Sequence, residues 1–340
     1  MSVGKGDAGI KEGLQEGLSA AESNTLGKIG GDADFYKIPL DFFNPGAVVP
    51  FDLYFYYQRQ YIILKSKGAQ WAADDTKKVA SSSTLQLYGK FKSVREHHEY
   101  LHSQAKLVLS QAEVSTEKKA KVLSEISGPI LEGLYKSPES SEAISSAAEL
   151  AQSCIKYLNE RGSLPELFKL SSESLTEHAH GLFTSAYSVA VGRRMGVVDQ
   201  AQTFALGLGA LLHDIGKTKI DPKILQKASE LDDQEWLLMR QHPEIGEQIL
   251  YHRQIVPALS RRIVLEHHER ANGRGYPRGV RNIHTFSKIV AVVDCFNALT
   301  SNRPWAKAMS PFDALKFMIN KMRSEFDPDV MSEFIAMLSK

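Results

Sequence analysis

The chain of 340 residues is 43% hydrophobic, which is enough for more than one core, because single domains typically run to about 100–200 residues. Its 41 basic and 40 acidic side chains nearly cancel, so charge gives no support for binding to a nucleic acid polymer or a membrane surface. Two cysteines, Cys154 and Cys295, exclude a framework of disulfides. The N-terminus lacks the apolar stretch of a signal peptide, and no apolar run approaches the ~20 residues that span a bilayer, so we expect a cytoplasmic protein.

The first part of the chain predicts an arm followed by a small sheet. Residues 1–33 are rich in Gly, Ala, Ser and charge with only weak hydrophobic periodicity, which indicates a flexible arm. Residues 34–160 are predicted to form a small α+β domain, because short aromatic and β-branched runs alternate with turn residues, as in an antiparallel sheet. These runs are 51–57, 61–64 and 84–88, with Gln58-Arg59-Gln60 as the hairpin connection.

Helical periodicity begins at Ser93 and continues through the rest of the chain. Between Thr116 and Arg161 apolar residues recur at three- and four-residue steps, as expected of amphipathic helices. Gly and Pro in the segment 160–165 are typical of a domain boundary, so residues 161–340 are predicted to form a second, all-helical domain. The expected fold class is mainly α, with a helical C-terminal domain preceded by a small α+β domain.

The most informative motif is the adjacent pair His213-Asp214, because an imidazole beside a carboxylate can help to place that carboxylate between two metal ions. Further ligand-type residues lie on both sides of the pair: His180, His242, His267, His268 and Asp294. These N and O donors suit hard or borderline divalent metals, and no cysteine cluster of the structural zinc type accompanies them. A buried His–Asp hydrogen bond would explain the pair but not the other five residues. We therefore predict a hydrolytic dinuclear metal centre.

Two segments resemble the signature motifs of HD-GYP phosphodiesterases. His267-His-Glu-Arg-Ala-Asn-Gly-Arg-Gly-Tyr-Pro277 is similar to the signature loop of the family, and His213-Asp-Ile-Gly-Lys217 is similar to its HD segment. The segments 299–304 and 326–328 resemble later motifs of the family in the same order. The resemblance extends from about Leu175 to the C-terminus and implies an HD-type metal-dependent phosphohydrolase domain.

The resemblance also implies a set of metal ligands. Asp214 would bridge two ions, with one site completed by His180, His213 and Asp294 and the other by His242, His267 and His268. Iron or manganese is favoured by the family analogy, and zinc, nickel and cobalt are the other candidates. Thr176 stands where some relatives carry a glutamate that helps to hold a third metal, so two divalent ions are expected rather than three.

Three residues in these motifs are candidates for binding the substrate. Lys217 follows the HD pair after a glycine, at a distance suited to a phosphate oxygen or to charge developing beside the metals. Arg303 can hold a phosphate in a bidentate manner, and Tyr276 can stack on a base or donate a hydrogen bond to a phosphate. Asp214 and Lys217 are therefore the predicted catalytic residues, and Lys217, Tyr276 and Arg303 are the predicted substrate-binding residues.

The substrate implied by the resemblance is cyclic di-GMP, opened by a metal-bridging hydroxide to linear pGpG and, in a further step, to GMP. Two alternatives stay open. Asn272 and Ala306 depart from the residues common in the family, which favours a receptor that binds cyclic di-GMP with little turnover and signals through the N-terminal domain. The other alternative is hydrolysis of a hybrid cyclic dinucleotide. The N-terminal domain carries no chemical motif, and ligand sensing, homodimerisation and binding of a signalling protein are its open roles.

A second histidine group, His97-His98-Glu99 with His102, superficially repeats the doublet at 267 and 268. It lacks a Gly-Tyr-Pro segment and a nearby Asp in an apolar run, so we interpret it as a solvated helix face rather than a second metal site. His178 lies two residues before His180, and a helix cannot direct both at one site. The family spacing selects His180.

Overall fold

The computed structural model describes residues 35–82, 85–173, 177–302 and 307–339, and within them all side chains except those of residues 172, 173 and 177–179. The predictions for the arm of residues 1–33 and for Thr176, Arg303 and Ala306 therefore lie outside the described residues. The side chain of His178 also lies outside them.

A small antiparallel sheet forms the N-terminal part. Its four strands are arranged in the order β1-β4-β2-β3. They are β1 (Phe35–Lys37), β2 (Leu53–Tyr57), β3 (Gln60–Lys65) and β4 (Leu87–Lys90). Gln58 and Arg59 join β2 to β3 with φ angles of 46° and 65°, which is the geometry of a type I′ hairpin turn. The hairpin predicted at this place is confirmed.

Most of the remaining described chain is helical, as predicted. Short helical segments lie in the sheet connections, at Leu40–Phe42 (a 3₁₀ turn) and Ala73–Ala80 (α1). The helices that follow the sheet are α2 (Val94–Ser110), α3 (Thr116–Lys136), α4 (Ser141–Tyr157), α5 (Ser163–Glu173), α6 (Glu177–Arg194), α7 (Gln200–Leu212), α8 (Pro222–Leu225), α9 (Asp233–Met239), α10 (His242–Leu250), α11 (Ala258–Glu266), α12 (Thr285–Thr300), α13 (Pro311–Lys321) and α14 (Pro328–Leu338). A 3₁₀ turn at Ile215–Lys219 follows α7.

Side-chain caps explain where several of these helices begin. The hydroxyl groups of Ser93, Ser115 and Ser140 accept hydrogen bonds from the backbone N–H three residues later, at the first turns of α2, α3 and α4. Such a cap satisfies one of the free N–H groups at a helix start and contributes about 1 kcal/mol.

One buried apolar cluster extends from the sheet into the C-terminal helices. It includes Leu53 of β2, Ile130 of α3 and Val292 of α12, and α4 packs directly against α7. Within the described residues, this cluster crosses the domain division expected at residue 160, and that division stays a prediction. None of the described helices is both long and apolar enough to cross a bilayer.

The interpretation of the second histidine group as a solvated helix face is wrong. His97, His98 and His102 are 2%, 6% and 4% exposed. His97 Nε2 lies 3.0 Å from the carbonyl oxygen of Lys37, while the Ser146 hydroxyl lies 2.9 Å from His102 Nε2 and 3.2 Å from His98 Nδ1. Burial lowers the pKa of His97 and of His102 to about 4. These rings are neutral packing groups that join α2 to the sheet and to α4.

Candidate metal centre

Three helices and the C-terminal ends of two others bring the predicted ligands together. His180 and Asp294 lie on the neighbouring helices α6 and α12. His213 and Asp214 follow the C-terminal end of α7, His242 is the first residue of α10, and the doublet at 267 and 268 follows α11. The donor atoms form two groups, each within 4.8 Å: Asp214, His242, His267 and His268, and His180, His213 and Asp214.

Close packing between α7 and α11 sets the position of the HD pair. A Cβ at Gly209 of α7 would lie 2.6 Å from Ile263 Cδ1 and 3.0 Å from Ser260 Cα, which is too close for any side chain. The Ser260 hydroxyl donates to the carbonyl oxygen of Ala205 at 2.7 Å across the same contact. This packing therefore fixes the distance between the end of α7 and the end of α11, which both carry ligands.

Asp214 lies at the centre of the cluster. Its Oδ1 is 3.4 Å from His242 Nε2 and 3.8 Å from His267 Nε2. Its Oδ2 is 3.3 Å from His213 Nε2 and accepts a hydrogen bond from Lys217 Nζ at 2.6 Å. The two oxygens of one carboxylate thus face different histidines, which is the arrangement of a bridging ligand.

Asp294 completes the second group. Its Oδ1 lies 3.1 Å from His180 Nε2 and 3.5 Å from His213 Nε2. One oxygen of Asp294 therefore lies within 3.5 Å of both imidazoles that the resemblance assigns to the same ion.

Backbone carbonyl groups fix the orientation of three of the rings. The Nδ1 atoms of His213, His242 and His267 lie 2.7, 2.7 and 2.8 Å from the carbonyl oxygen three residues earlier in the chain. A carbonyl oxygen only accepts, so Nδ1 carries a proton in each ring, and in the neutral form of the ring Nε2 offers a lone pair on the side of Asp214. This is the form of histidine that binds metals, with its second nitrogen held by an outer partner.

The resulting lone pairs fit a cation. His242 Nε2 and His267 Nε2 lie 3.2 Å apart. The proton of each ring is on Nδ1, so neither Nε2 atom can donate a hydrogen bond to the other. Among the described residues, the buried atoms His213 Nε2 and Asp214 Oδ1 also have no hydrogen-bond partner. Two divalent ions that accept these lone pairs would satisfy all four atoms, so the residues present fit the expected metals.

The protonation states support the same interpretation. Burial lowers the pKa of His242 to about 4 and holds the pKa of His267 well below its ordinary value, which keeps both rings neutral. Burial also opposes charge on His213, but the carboxylates of Asp214 and Asp294 outweigh it and raise the pKa of this ring to about 10. A metal ion at this position would displace the proton that the two carboxylates otherwise attract.

The two acids themselves are held ionised. Burial opposes their charge, but His213 and Lys217 hold the pKa of Asp214 well below its ordinary value. The hydrogen bond from His180 and the nearby imidazole of His213 do the same for Asp294. Ionised carboxylates are the form required of metal ligands.

Two buried glutamates anchor the loop that follows the histidine doublet. Glu269 is 1% exposed, and its carboxylate accepts hydrogen bonds from the backbone N–H groups of Arg278 and Val280 at 2.8 and 3.1 Å. Glu266 accepts a hydrogen bond from the Ser287 hydroxyl at 3.0 Å. The sequence analysis gave these acids no role, and the signal it lacked was their burial, because Glu is rarely fully buried unless it is paired.

The predicted substrate-binding residues have different surroundings. Tyr276 stacks on His268 with ring centroids 4.6 Å apart and an interplanar angle of 27°, so it lies beside the cluster as expected. Lys217 contacts Asp214 directly. Its charge therefore acts on the bridging carboxylate as well as on any phosphate that approaches it. The placement of Arg303 is outside the described residues.

The family model of the HD domain matches residues 147–330, which is more than half of the chain, and the chain belongs to the HD domain family. The HD-GYP membership expected from the signature motifs is confirmed by its similarity to the following proteins.

The chain is 33% identical over 189 residues to the cyclic di-GMP phosphodiesterase PA4108 of Pseudomonas aeruginosa, covering 55% of this chain and 44% of that protein. It is 36% identical over 152 residues to the 3'3'-cGAMP-specific phosphodiesterase 3 of Vibrio cholerae, covering 44% and 33%. A cyclic di-GMP phosphodiesterase of Thermotoga maritima is 33% identical over 175 residues, covering 50% and 47%. The chain therefore spans less than half the length of these relatives.

The fold is similar to that of Bd1817, a HDG"Y"P protein from Bdellovibrio bacteriovorus, with a TM-score of 0.68 and 18% sequence identity. The match covers 90% of this chain and 100% of that chain. Residues 147–330 make up only slightly more than half of the chain, and few residues follow them. A match over 90% of the chain therefore also includes part of the chain before the HD domain.

Proposed function

We propose that this protein is a metal-dependent phosphodiesterase that hydrolyses cyclic di-GMP to linear pGpG. The observation that carries the proposal is the position of Asp214, whose two carboxylate oxygens face separate histidine groups. Relatives that are named as cyclic dinucleotide phosphodiesterases support the class of substrate.

Seven residues would hold the metals in this proposal. Asp214 is shared, His180, His213 and Asp294 serve one ion, and His242, His267 and His268 serve the other. Bound divalent ions supply a nucleophilic water at neutral pH and stabilise negative charge on phosphoryl oxygens. Iron and manganese are the proposed metals, since imidazole and carboxylate donors suit both.

The remaining site residues position the substrate. Lys217 offers an ammonium group beside Asp214, where it offsets charge that grows on the phosphoryl group. Tyr276 lies against His268 beside the cluster, where its phenol group can donate a hydrogen bond to a phosphate of the substrate. We assign the phosphate-binding role of Arg303 on its motif alone. The sheet and the helices before the HD domain are assigned a regulatory role, since the metal-ligand groups found among the described residues all lie after residue 179.

A hybrid cyclic dinucleotide is the second candidate substrate. The observation that favours it is the 36% identity to a relative named as specific for 3'3'-cGAMP. A purine difference at one base leaves the scissile phosphate unchanged, so the metal cluster and Lys217 would serve either substrate.

The test is product analysis with protein that has been loaded anaerobically with Fe²⁺ or Mn²⁺. We expect conversion of cyclic di-GMP to pGpG by the wild-type protein, and equal conversion by Glu333→Gln, a surface control whose carboxylate pairs with Arg194. If the metal-loaded protein binds cyclic di-GMP without converting it, the protein is a receptor and the proposal of an enzyme is wrong. If the protein converts 3'3'-cGAMP and not cyclic di-GMP, the hybrid cyclic dinucleotide is its substrate.

A further inference from the structure

A stack of rings and one cation leads from the metal centre to the protein surface. Tyr276 lies on His268. The guanidinium carbon of Arg240 lies 5.6 Å from the centroid of the Tyr276 ring and 5.9 Å from that of Trp236. We call Tyr276, Arg240 and Trp236 the outer stack. Trp236 is 44% exposed and Arg240 is exposed, so the end of the outer stack is accessible to a ligand.

The position of the outer stack is tied to that of a metal ligand. Arg240 and Trp236 belong to α9 and its C-terminal end, and the last carbonyl group of α9, that of Met239, accepts the Nδ1 hydrogen bond of His242. The start of α9 is fixed by the reciprocal cap of Asp232 and Glu235. A ligand held at the metals would therefore meet Arg240 at a defined distance.

Arg240 keeps its hydrogen-bonding capacity for a ligand. Nearby arginines are used within the protein, since Arg262 and Arg278 pair with Glu266 and Arg270 pairs with Glu325. Across the described ranges of the chain, Arg240 pairs with no carboxylate, and its guanidinium lies near the rings of Trp236 and Tyr276. A guanidinium held over aromatic rings retains its planar fork of N–H donors for recognition.

We propose that Arg240 and Trp236 form a base-binding subsite that selects guanine over adenine in a cyclic dinucleotide. Guanine presents two adjacent acceptors, O6 and N7, which match the two-pronged donor edge of arginine, whereas adenine presents a donor next to N7. Trp236 supplies the exposed ring on which a base stacks. This inference rests on the proposed function, because it needs a cyclic dinucleotide whose phosphate is held at the metals.

The location of the subsite favours a base over a phosphate. Lys217 and the metal ligands surround Asp214, where the scissile phosphate is handled. Arg240 is exposed and lies next to Tyr276 rather than among the metal ligands, so it can reach the part of the substrate that extends from that phosphate. In a cyclic dinucleotide the groups that extend furthest from the reacting phosphate are the ribose-linked bases.

The experiment compares Arg240→Gln, Arg240→Lys and Trp236→Leu with two controls, using the full-length, metal-loaded protein. Leu237→Ala changes an exposed residue of α9, and Lys316→Ala removes an exposed cation of α13. kcat/KM is measured for cyclic di-GMP, 3'3'-cGAMP and cyclic di-AMP, and the dissociation constants of the same ligands are measured by equilibrium dialysis.

We expect Arg240→Gln to lower the preference for cyclic di-GMP over cyclic di-AMP by about tenfold or more, the discrimination that one bidentate base contact provides. Arg240→Lys should lose most of the same preference, because an ammonium group lacks the planar fork. Trp236→Leu should raise KM for all three ligands without changing their order. The two controls should behave as the wild-type protein.

The results separate this inference from the proposed function. An equal loss for all three ligands in Arg240→Gln would overturn the subsite and reduce Arg240 to a support of Tyr276. Hydrolysis by a wild-type protein that shows no guanine preference would also overturn it, while leaving the phosphodiesterase intact. Guanine-selective binding that disappears in Arg240→Gln, in a protein without turnover, would support the subsite and contradict the enzyme.

Discussion

Two buried histidine groups in one chain differ in what their ring nitrogens face. On α2, the Ser146 hydroxyl lies between His98 and His102, and the carbonyl group of Lys37 partners His97. In the metal centre, Nε2 of His242 and Nε2 of His267 face each other across a shared carboxylate. Burial and a His-His doublet are common to both groups. The α2 nitrogens have a hydroxyl or carbonyl group as hydrogen-bond partner. The metal centre differs because several nitrogen and oxygen lone pairs face one another and no hydrogen-bond donor lies between them.

The largest expected difference between the groups is in metal content. Asp214→Ala removes the oxygens that both ligand groups share, so it should lose most of the bound metal and all turnover. His98→Gln, a change in the α2 group, should keep full metal and activity. Elemental analysis and product assays on both variants provide the check. Stoichiometric metal and normal activity in Asp214→Ala would reject the assignment of the bridging ligand.

The second expected difference is a pH dependence of stability that belongs to the α2 group. The folded-state pKa of His97 and of His102, about 4, lies below the ordinary value of 6.5, so the unfolded chain binds more protons between these pH values. Their contribution is fully present above pH 6.5 and is lost as the pH falls toward 4. The loss is on the order of 3 kcal/mol per histidine.

Urea denaturation at several pH values measures this loss, and His102→Gln should make the dependence shallower. NMR titration provides a direct check on the folded protein. Resonances of His97 and His102 that titrate near pH 6.5 would contradict the assignment of these rings as neutral packing groups.

The third expected difference between the two histidine groups is in anion binding, because only the metal centre has the lysine and arginine of the signature motifs. Arg303→Ala should weaken the binding of cyclic di-GMP by about 1.5–3 kcal/mol, the value of a charge-assisted hydrogen bond, with metal content unchanged. Calorimetry of the metal-loaded variant measures the change. An unaltered affinity would assign the phosphate to another cation.

The smallest expected difference comes from the glutamate that follows each doublet. Glu269 anchors the signature loop, so Glu269→Gln should raise KM modestly, because the amide keeps one acceptor oxygen and loses only the charge that strengthens the hydrogen bonds to Arg278 and Val280. Glu99 is exposed and pairs with Arg95 on the helix surface, so Glu99→Gln should change stability by less than about 0.5 kcal/mol. Steady-state kinetics and thermal denaturation of both variants test the contrast. If Glu269→Gln and Glu99→Gln change KM equally, Glu269 does not anchor the signature loop.

The resemblance to HD-GYP motifs predicted which residues lie together around Asp214, because those motifs carry their ligand-type residues in one order along the chain. The sequence pattern also predicted the hairpin at Gln58. It misjudged His97 and His102, because their burial depends on partners on other elements: Lys37 lies 60 residues from His97, and Ser146 lies 44 residues from His102. Arg240 was missed for the same reason, since its contact with Tyr276 joins the end of α9 to the signature loop, 36 residues later in the chain.

One close contact restricts how this chain can vary. A Cβ at Gly216 would lie 1.9 Å from the carbonyl oxygen of His242, so the turn after the HD pair and the start of α10 touch backbone to backbone. Even alanine at this position would push apart two segments that each carry a ligand. Among naturally occurring variants, a residue that touches neither metal nor substrate would then be as intolerant of replacement as the ligands themselves.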